Sequence, residues 1–534
     1  MESLELVLIL LAVTAILRLV STRLSIPQPV LLVVGGLLLA VTPGLPRFQA
    51  DPGVVFLIFI PPLLYEAALN TSLRDFRRNL PSISLLAFWL VLVSMCAVAW
   101  AAHALIPGMS WGSGFVLGAI VSPPDAVAVT AVTRRLKLPI TVNTVLEGES
   151  LVNDATALVA YRMGVAAVVA GTFSLPAAGL RFILTGAGGV AFGLAMGWLI
   201  GRIRRWVSAG PVVENTISLL TPFAVFIPAE RLGLASVISV VAAGLYLGRQ
   251  GPKLVSARTR IQNEAMWQML VFILEGLIFI LIGLELPTVR KSIGTHSFSL
   301  ILLYTAIISV VLIVVRIAWM FPGAYLPYLV RKRRRKKGDR PPWKAVLFVG
   351  WAGMRGGDSL VIALALPLVT ATGTPFPGRD LIIFLTFGVI LVSLVVQGLS
   401  LKPVIRLLKL GVDGTADKEE ANARLISARA GMARLDAVIA ERNIAQPLAD
   451  KLRGKYGFRL QRLEKNGLQT DPLANTSNSE AMVDIRQEMI AAERAELIRL
   501  RDNNDVSDDV MRNIQEDLDL EEVLLSSEDL YPDD

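Results

Sequence analysis

The chain has 534 residues, 54% of them hydrophobic and 18% charged, with a formal net charge of +8, and that balance places it among membrane proteins. The charge is unevenly divided: residues 1–410 carry 36 Lys and Arg against 17 Asp and Glu, and residues 411–534 carry 16 against 27, so a +19 apolar part precedes a −11 tail. A single cysteine, Cys96, excludes an intrachain disulfide scaffold, and with two histidines beside it no ligand set for zinc or haem can be assembled.

A membrane-crossing helix needs about 20 mostly apolar residues. Taken in chain order, such segments fall near 3–20, 28–43, 53–69, 81–105, 111–133, 142–169, 176–201, 212–228, 233–248, 264–286, 298–321, 342–369 and 380–401, which makes thirteen. The first has no cationic region and no small-residue cleavage site before it, so it reads as a retained helix rather than a signal peptide. Loops after odd-numbered spans are rich in Arg and Lys, among them Arg74, Arg77 and Arg78, then Arg249, Lys253, Arg258 and Arg260, and nine basic residues in 331–344. Loops after even-numbered spans hold only Arg47, Arg181, Arg231, Arg290, Lys291 and Arg379. The positive-inside rule then sets the N-terminus outside and the C-terminal tail in the cytoplasm. The run Arg331–Lys337 sits between two spans, which makes it a topology determinant against anionic lipid rather than a nucleic-acid patch.

Two spans are interrupted at mid-length. The fifth contains Ser122-Pro-Pro-Asp125, where two prolines remove backbone donors, and the twelfth contains Gly353-Met-Arg-Gly-Gly-Asp358. The breaks lie seven spans apart, and an odd offset means opposite directions through the membrane. The expected fold is therefore an all-α polytopic membrane protein with about 13 helices in an inverted-topology repeat, spans 1–6 against 8–13, with broken, crossing helices 5 and 12. Paired broken helices mark the binding site of a transporter.

Ionisable groups inside a bilayer are costly, by a few kcal/mol each on insertion scales, and point to a task. The third span carries Glu66 at mid-membrane, and Asp125 follows the proline break, whose freed carbonyls, that of Pro124 included, can ligate a cation. A carboxylate at such a break also caps freed N–H groups, and the two roles are compatible. On the sixth span, Ser150 and Asp154 share one helix face, and Glu149 and Asn153 share the neighbouring strip. A serine within a span also bonds its own helix carbonyl, the bland alternative for Ser150.

Carboxylates, a hydroxyl and a carbonyl make an oxygen shell suited to a small monovalent cation. Like charges crowded at low dielectric do not all stay ionised, so proton uptake is favoured when the cation leaves. A site that holds either protons or a cation is an exchanger. Arg355 on the twelfth span is the fixed positive charge near this group. Glu149 lies about 140° around the helix from Asp154, at about 100° per residue, so it can face the twelfth span while Asp154 faces the ion. A Glu149–Arg355 salt bridge tying the two repeats is the expectation. Glu275 on the tenth span reads as structural or cavity-lining. His103 and His296 fall near outward span ends, and no phosphate-binding glycine loop supports ATP-driven pumping.

The segments Leu63–Leu69, Ser122–Val129, Glu149–Ala155, Glu275–Gly283 and Gly353–Gly356, in this order, resemble the signature of the monovalent cation:proton antiporter family, in the sodium/proton exchanger branch, over about residues 5–405. The resemblance implies that Asp154 is the essential cation- and proton-binding carboxylate and that Asn153 is the neutral neighbour marking electroneutral members. It implies that Glu66, Asp125, Ser150 and the Pro124 carbonyl complete the Na+ shell and that Glu149 and Arg355 form a structural ion pair. It further implies a homodimer and alternating access by a six-helix core moving against a dimerisation domain. The sequence departs from the family at Asp358, where a small apolar residue is usual; Asp358 is a partner for Arg355 or an additional proton site. Arg162 and Arg316 are intramembrane cations without an assigned role, and Glu147 has none either.

The expectation is thus a transporter and not an enzyme, with a transmembrane antiporter domain in 1–410 and a cytoplasmic regulatory region in 411–534. It exchanges Na+, or Li+ or K+, for H+ in a bacterial inner membrane, with no cofactor beyond the transported ions and no nucleic-acid partner. A K+/H+ antiporter and a carboxylate-lined cation channel are the alternatives. In the tail, 421–440 and 482–499 have helical periodicity, and the segment from Asp502 to Asp534 reads by default as an acidic solvated end, with docking on Arg331–Lys337 as one regulatory idea.

Overall fold

A computed structural model describes residues 2–24, 28–42, 52–125, 129, 140–170, 175–207, 210–292, 298–330, 342–370, 373–409, 415–466, 480–503 and 505–528. Helices dominate them, with one isolated β-bridge at Val369 and Pro375. In chain order these are α1 (Glu2–Leu24), α2 (Gln28–Val41), α3 (Pro52–Asn70), α4 (Leu73–Ser84), α5 (Val91–Leu105), α6 (Trp111–Val121), α7 (Ile140–Ala170), α8 (Leu175–Val207), α9 (Pro211–Arg231) and α10 (Ser236–Leu254). They continue as α11 (Ala257–Ser292), α12 (Phe298–Val330), α13 (Trp343–Trp351), α14 (Gly357–Leu364), α15 (Arg379–Val392) and α16 (Leu399–Leu408). A π-helical stretch, Leu85–Leu90, joins α4 to α5, and another, Ser393–Gly398, joins α15 to α16.

Nine helices among the described residues are long and apolar enough to cross a membrane. The remaining four of the thirteen expected segments have specific reasons to fall short. The helices Gln28–Val41 and Trp111–Val121 are apolar but short, α10 ends in a charged turn with Arg249 and Lys253, and the segment 342–369 is split into α13 and α14.

The membrane helices pack in two groups. In one, α2 lies along α11, α8 along α10, and α10 along α3, with α1 and α9 completing the set. In the other, α5 packs on α6, α6 on α7, and α12 on α5, α13 and α15, while α4 rests on α7 and α14 on α15. The groups meet where α14 touches α3 and α11 and where α7 touches α3 and α10. Close helix approach within the first group depends on missing side chains: a Cβ on Gly36 would stand 2.1 Å from the Ile280 carbonyl oxygen, and one on Gly283 2.2 Å from that of Val33. Many large apolar side chains stay on the outside, such as Leu19, Leu38, Trp198 and Val314, as expected where the solvent is lipid.

Among the described residues the tail forms four helices, α17 (Thr415–Glu441), α18 (Gln446–Asn466), α19 (Glu480–Asp502) and α20 (Asp508–Glu528). The acidic segment is not simply solvated: α20 buries Val510, Met511, Ile514 and Leu518 against Ala423, Ile490 and Leu497. Those four apolar positions recur at helical spacing, a stripe masked by the surrounding Asp and Glu. Inside the module Arg486 is buried and holds Glu493 at 2.7 Å and Glu521 at 2.6 Å.

The tail docks on the first group of membrane helices. Lys253 Nζ lies 2.8 Å from Asp502, Arg501 donates to the Arg249 carbonyl at 3.1 Å, Arg260 pairs with Asp519, and Arg512 donates to the carbonyl of Asn70 at the end of α3. The basic partners thus lie in the last turns of α10 and the first turn of α11. Residues Arg331–Lys337 lie outside the described residues.

Candidate functional site

Both expected breaks are present, and they touch. Helix α6 stops at Val121, Ser122 to Asp125 are non-helical, and across from them Ala352–Gly356 separate α13 from α14. The backbone N–H of Asp125 donates to the Met354 carbonyl at 2.7 Å, so one break satisfies the other. A Cβ on Gly356 would lie 1.7 Å from Asp125 Oδ2, which shows that the Asp125 carboxylate rests on bare backbone. Glycine is required there by close approach, not by its dihedral angles.

Helix α7 supplies the third side. Asn153, fully buried, donates from Nδ2 to the Pro124 carbonyl at 2.9 Å, and its Oδ1 is buried with no hydrogen-bond donor among the described residues. Ser150 and Asp154, one turn apart on α7, are partly buried. Asp154 lies within electrostatic range of Asp125, Asp358 and Glu149, and Asp358, in the first turn of α14, faces Asp125 in the same way. The carboxylates of α7, the first break and the second break thus act on one another electrostatically across the junction, although among the described residues no three stand close enough together to hold a metal ion. Glu66, half-buried on α3, accepts a hydrogen bond from Asn70 Nδ2 at 2.7 Å. Glu275 is half-buried on α11, one turn before Ile278, which packs on Gly357.

The expected Glu149–Arg355 pair is corrected by the structure. Both carboxylate oxygens of Glu149 accept from Arg316 on α12, Oε1 from Nη1 at 2.5 Å and Oε2 from Nη2 at 2.9 Å, with both residues 1% exposed. Bidentate geometry makes this the strong form of ion pair. The second break is shaped around it: Arg316 Nη2 also donates to the Val349 carbonyl at 3.3 Å, and a Cβ on Gly353 would collide with Arg316 Nε at 1.9 Å. Arg355 is buried and within electrostatic range of both Glu149 and Arg316, but its Nη1 donates to the Gly353 carbonyl at 3.1 Å and its backbone N–H to Ser393 Oγ at 2.8 Å. Glu149 does turn away from Asp154, but helix rotation alone does not choose between arginines on two neighbouring helices.

Two further residues were missed. Ser393 and Gln397 form a relay in the π-helical stretch, Ser393 Oγ donating to Gln397 Oε1 at 2.7 Å and Gln397 Nε2 to the Trp351 carbonyl at 2.8 Å. Together they hold the backbone at the end of α13, through Trp351, and within the second break, through Arg355. The available signal was a Ser and a Gln four residues apart, facing one way in an otherwise apolar last span.

The protein-family model described as sodium/hydrogen exchanger, transmembrane, matches residues 8–407. An uncharacterized Na(+)/H(+) exchanger of Mycobacterium tuberculosis is 36% identical over 521 residues, covering 97% of this chain and 95% of the relative. A sodium, potassium, lithium and rubidium/H(+) antiporter of Bacillus subtilis is 32% identical over 400 residues, 73% of this chain and 59% of that one. The Na(+)/H(+) antiporter ApNhaP of Aphanothece halophytica is 31% identical over 453 residues, 84% and 82% of the two chains. The sodium proton antiporter MjNhaP1 from Methanocaldococcus jannaschii shares the fold at a TM-score of 0.58 with 18% identity, over 74% of this chain and 98% of that one. The match over residues 8–407, with identity extending along nearly the whole chain, establishes that this integral membrane protein belongs to the sodium/hydrogen exchanger family of transporters.

Proposed function

We propose that the chain exchanges Na+ for H+ without net charge movement, by alternating access, at the junction of the two breaks. The observation that carries this reading is that Asp125, resting on the bare backbone of Gly356 at the second break, lies within electrostatic range of Asp154 and Asp358, while Arg316 is consumed by Glu149. Asp154 and Asp125 take the cation with Ser150, Glu66 and the Pro124 carbonyl. Their crowding makes bound protons and a bound cation mutually exclusive. Asn153 holds the Pro124 carbonyl in place, and Asp358 adds a third carboxylate within electrostatic range of Asp125. Glu275 lines the approach along α11.

In this reading the second helix group moves against the first, the thirteen spans form an inverted repeat, and two copies associate through the first group. The N-terminus is outside, the tail is cytoplasmic and regulatory, and Arg331–Lys337 rests on anionic headgroups of a bacterial plasma membrane. The name of the Bacillus subtilis relative, which includes potassium, lithium and rubidium, favours a site that accepts K+ and Li+ as well.

Everted membrane vesicles with a pH-sensitive dye test the reading. Addition of Na+, Li+ or K+ is expected to drive saturable proton movement in the opposite direction. Cation flux that neither saturates nor moves protons would instead identify a passive pore.

A further inference from the structure

Arg162 stands eight residues beyond Asp154 on α7, about 12 Å further along the helix at about 1.5 Å per residue. Its Nη2 lies 2.9 Å from Oε2 of Glu230 in the last turn of α9, and the same oxygen accepts a hydrogen bond from Ser236 Oγ, in the first turn of α10, at 2.7 Å. The two ends of this contact belong to different bodies: α7 packs with α4 and α6, whereas α9 and α10 pack with each other and with α3. The pair is therefore a polar bridge from the second helix group to the first. Arg379, at the start of α15, is within electrostatic range of Tyr161 beside it, so the ends of four helices gather here. The loops at this end, after even-numbered spans, are those poor in Lys and Arg.

The pair differs from Glu149–Arg316 in its setting. Glu149–Arg316 is sealed within the second group, but the side chains of Arg162 and Glu230 are 40% and 41% exposed. An ion pair that is not sealed inside the protein is more cheaply made and broken than a buried one, the property needed of a contact that opens in every cycle. Ser236 holds the same carboxylate from within the first group.

We propose that Arg162, Glu230 and Ser236 form an outer latch, closed in this conformation, that must open for the cation site to reach the outside. The latch rests on the antiport reading and deepens it by naming a gating contact. Its residues position the two groups and do not touch the ion.

The test uses the full chain with Cys96, which is exposed, replaced by Ser, and with Arg162→Cys and Glu230→Cys. Before cross-linking the double variant exchanges Na+ for H+. A flexible bis-thiosulfonate linker, with the bridged peptides verified by mass spectrometry, lowers exchange more than tenfold, and reductant restores it. Bridged protein exchanging at the unbridged rate overturns the latch, whereas a Cys96→Ser parent with no exchange overturns the antiport reading instead. Hydrogen–deuterium exchange tests the latch without transport: Arg162→Ala speeds amide exchange around 160–170 and 228–236, and the swap Arg162→Glu with Glu230→Arg restores protection. Unchanged protection in Arg162→Ala, or no rescue by the swap, also overturns it.

Discussion

Replacing Arg316 with Met removes the guanidinium from a bidentate pair in which both side chains are 1% exposed. Breaking a buried ion pair from one side costs about 3–5 kcal/mol, because the remaining charge is left in a low-dielectric site. Arg355 stays within electrostatic range of Glu149 and offsets part of the loss, so about 3 kcal/mol is expected, on the order of a 100-fold change in the folded-to-unfolded ratio. Arg355→Ala removes a cation that bonds the Gly353 carbonyl rather than Glu149, and its effect is smaller. Glu149→Gln combined with Arg316→Met removes both charges, and the pair of substitutions recovers stability relative to either alone. Size-exclusion profiles of heated, detergent-solubilised protein measure the folded fraction for all four variants. A larger loss for Arg355→Ala than for Arg316→Met, or no recovery in the double variant, would refute the assignment of Arg316 as the partner.

Gly356→Ala places a methyl group where Asp125 Oδ2 now sits, 1.7 Å from the new carbon; it is expected to lower exchange at least tenfold while the protein still elutes as a folded species. At the tail, burial alone would raise the Asp502 carboxyl, but hydrogen bonds from Lys253 and Arg501 outweigh it and hold the group below the usual carboxylate range. A depressed value in the docked state means that its contribution to docking is complete above the ordinary value of about 4 and is lost as pH falls through the docked value. Limited proteolysis between α19 and the α10 end is therefore expected to quicken only in acid for the parent chain, and to be faster at neutral pH in Asp502→Asn. Equal cleavage in both chains at neutral pH would contradict the docking contact.

The breaks were legible because proline and glycine interrupt a helix through backbone chemistry alone, and Ser122–Asp125 and Gly353–Asp358 carry that chemistry in sequence. The face of α7 was legible too, since 3.6 periodicity fixes which way Glu149, Ser150, Asn153 and Asp154 turn. Partner choice was not: Arg316 and Arg355 lie on different helices, and only packing decides which guanidinium reaches Glu149. Gly353 held the missing clue, because its bare backbone makes room for Arg316. The Asn153 bond to Pro124 likewise depends on how α7 approaches the first break, a distance that no spacing along one chain encodes. In the tail the overall negative charge hid the stripe Val510, Met511, Ile514 and Leu518, and average composition outweighed a local pattern that α20 in fact uses.

The most direct test of the function assigned to the two breaks is paired measurement of Na+ uptake and proton release in proteoliposomes carrying the parent chain or Asp154→Asn. The parent is expected to couple the two fluxes with saturation in Na+, and Asp154→Asn to lose both together while remaining folded. Coupled exchange at the parent rate in Asp154→Asn would contradict the assignment of that carboxylate as the group that binds cation and proton in turn.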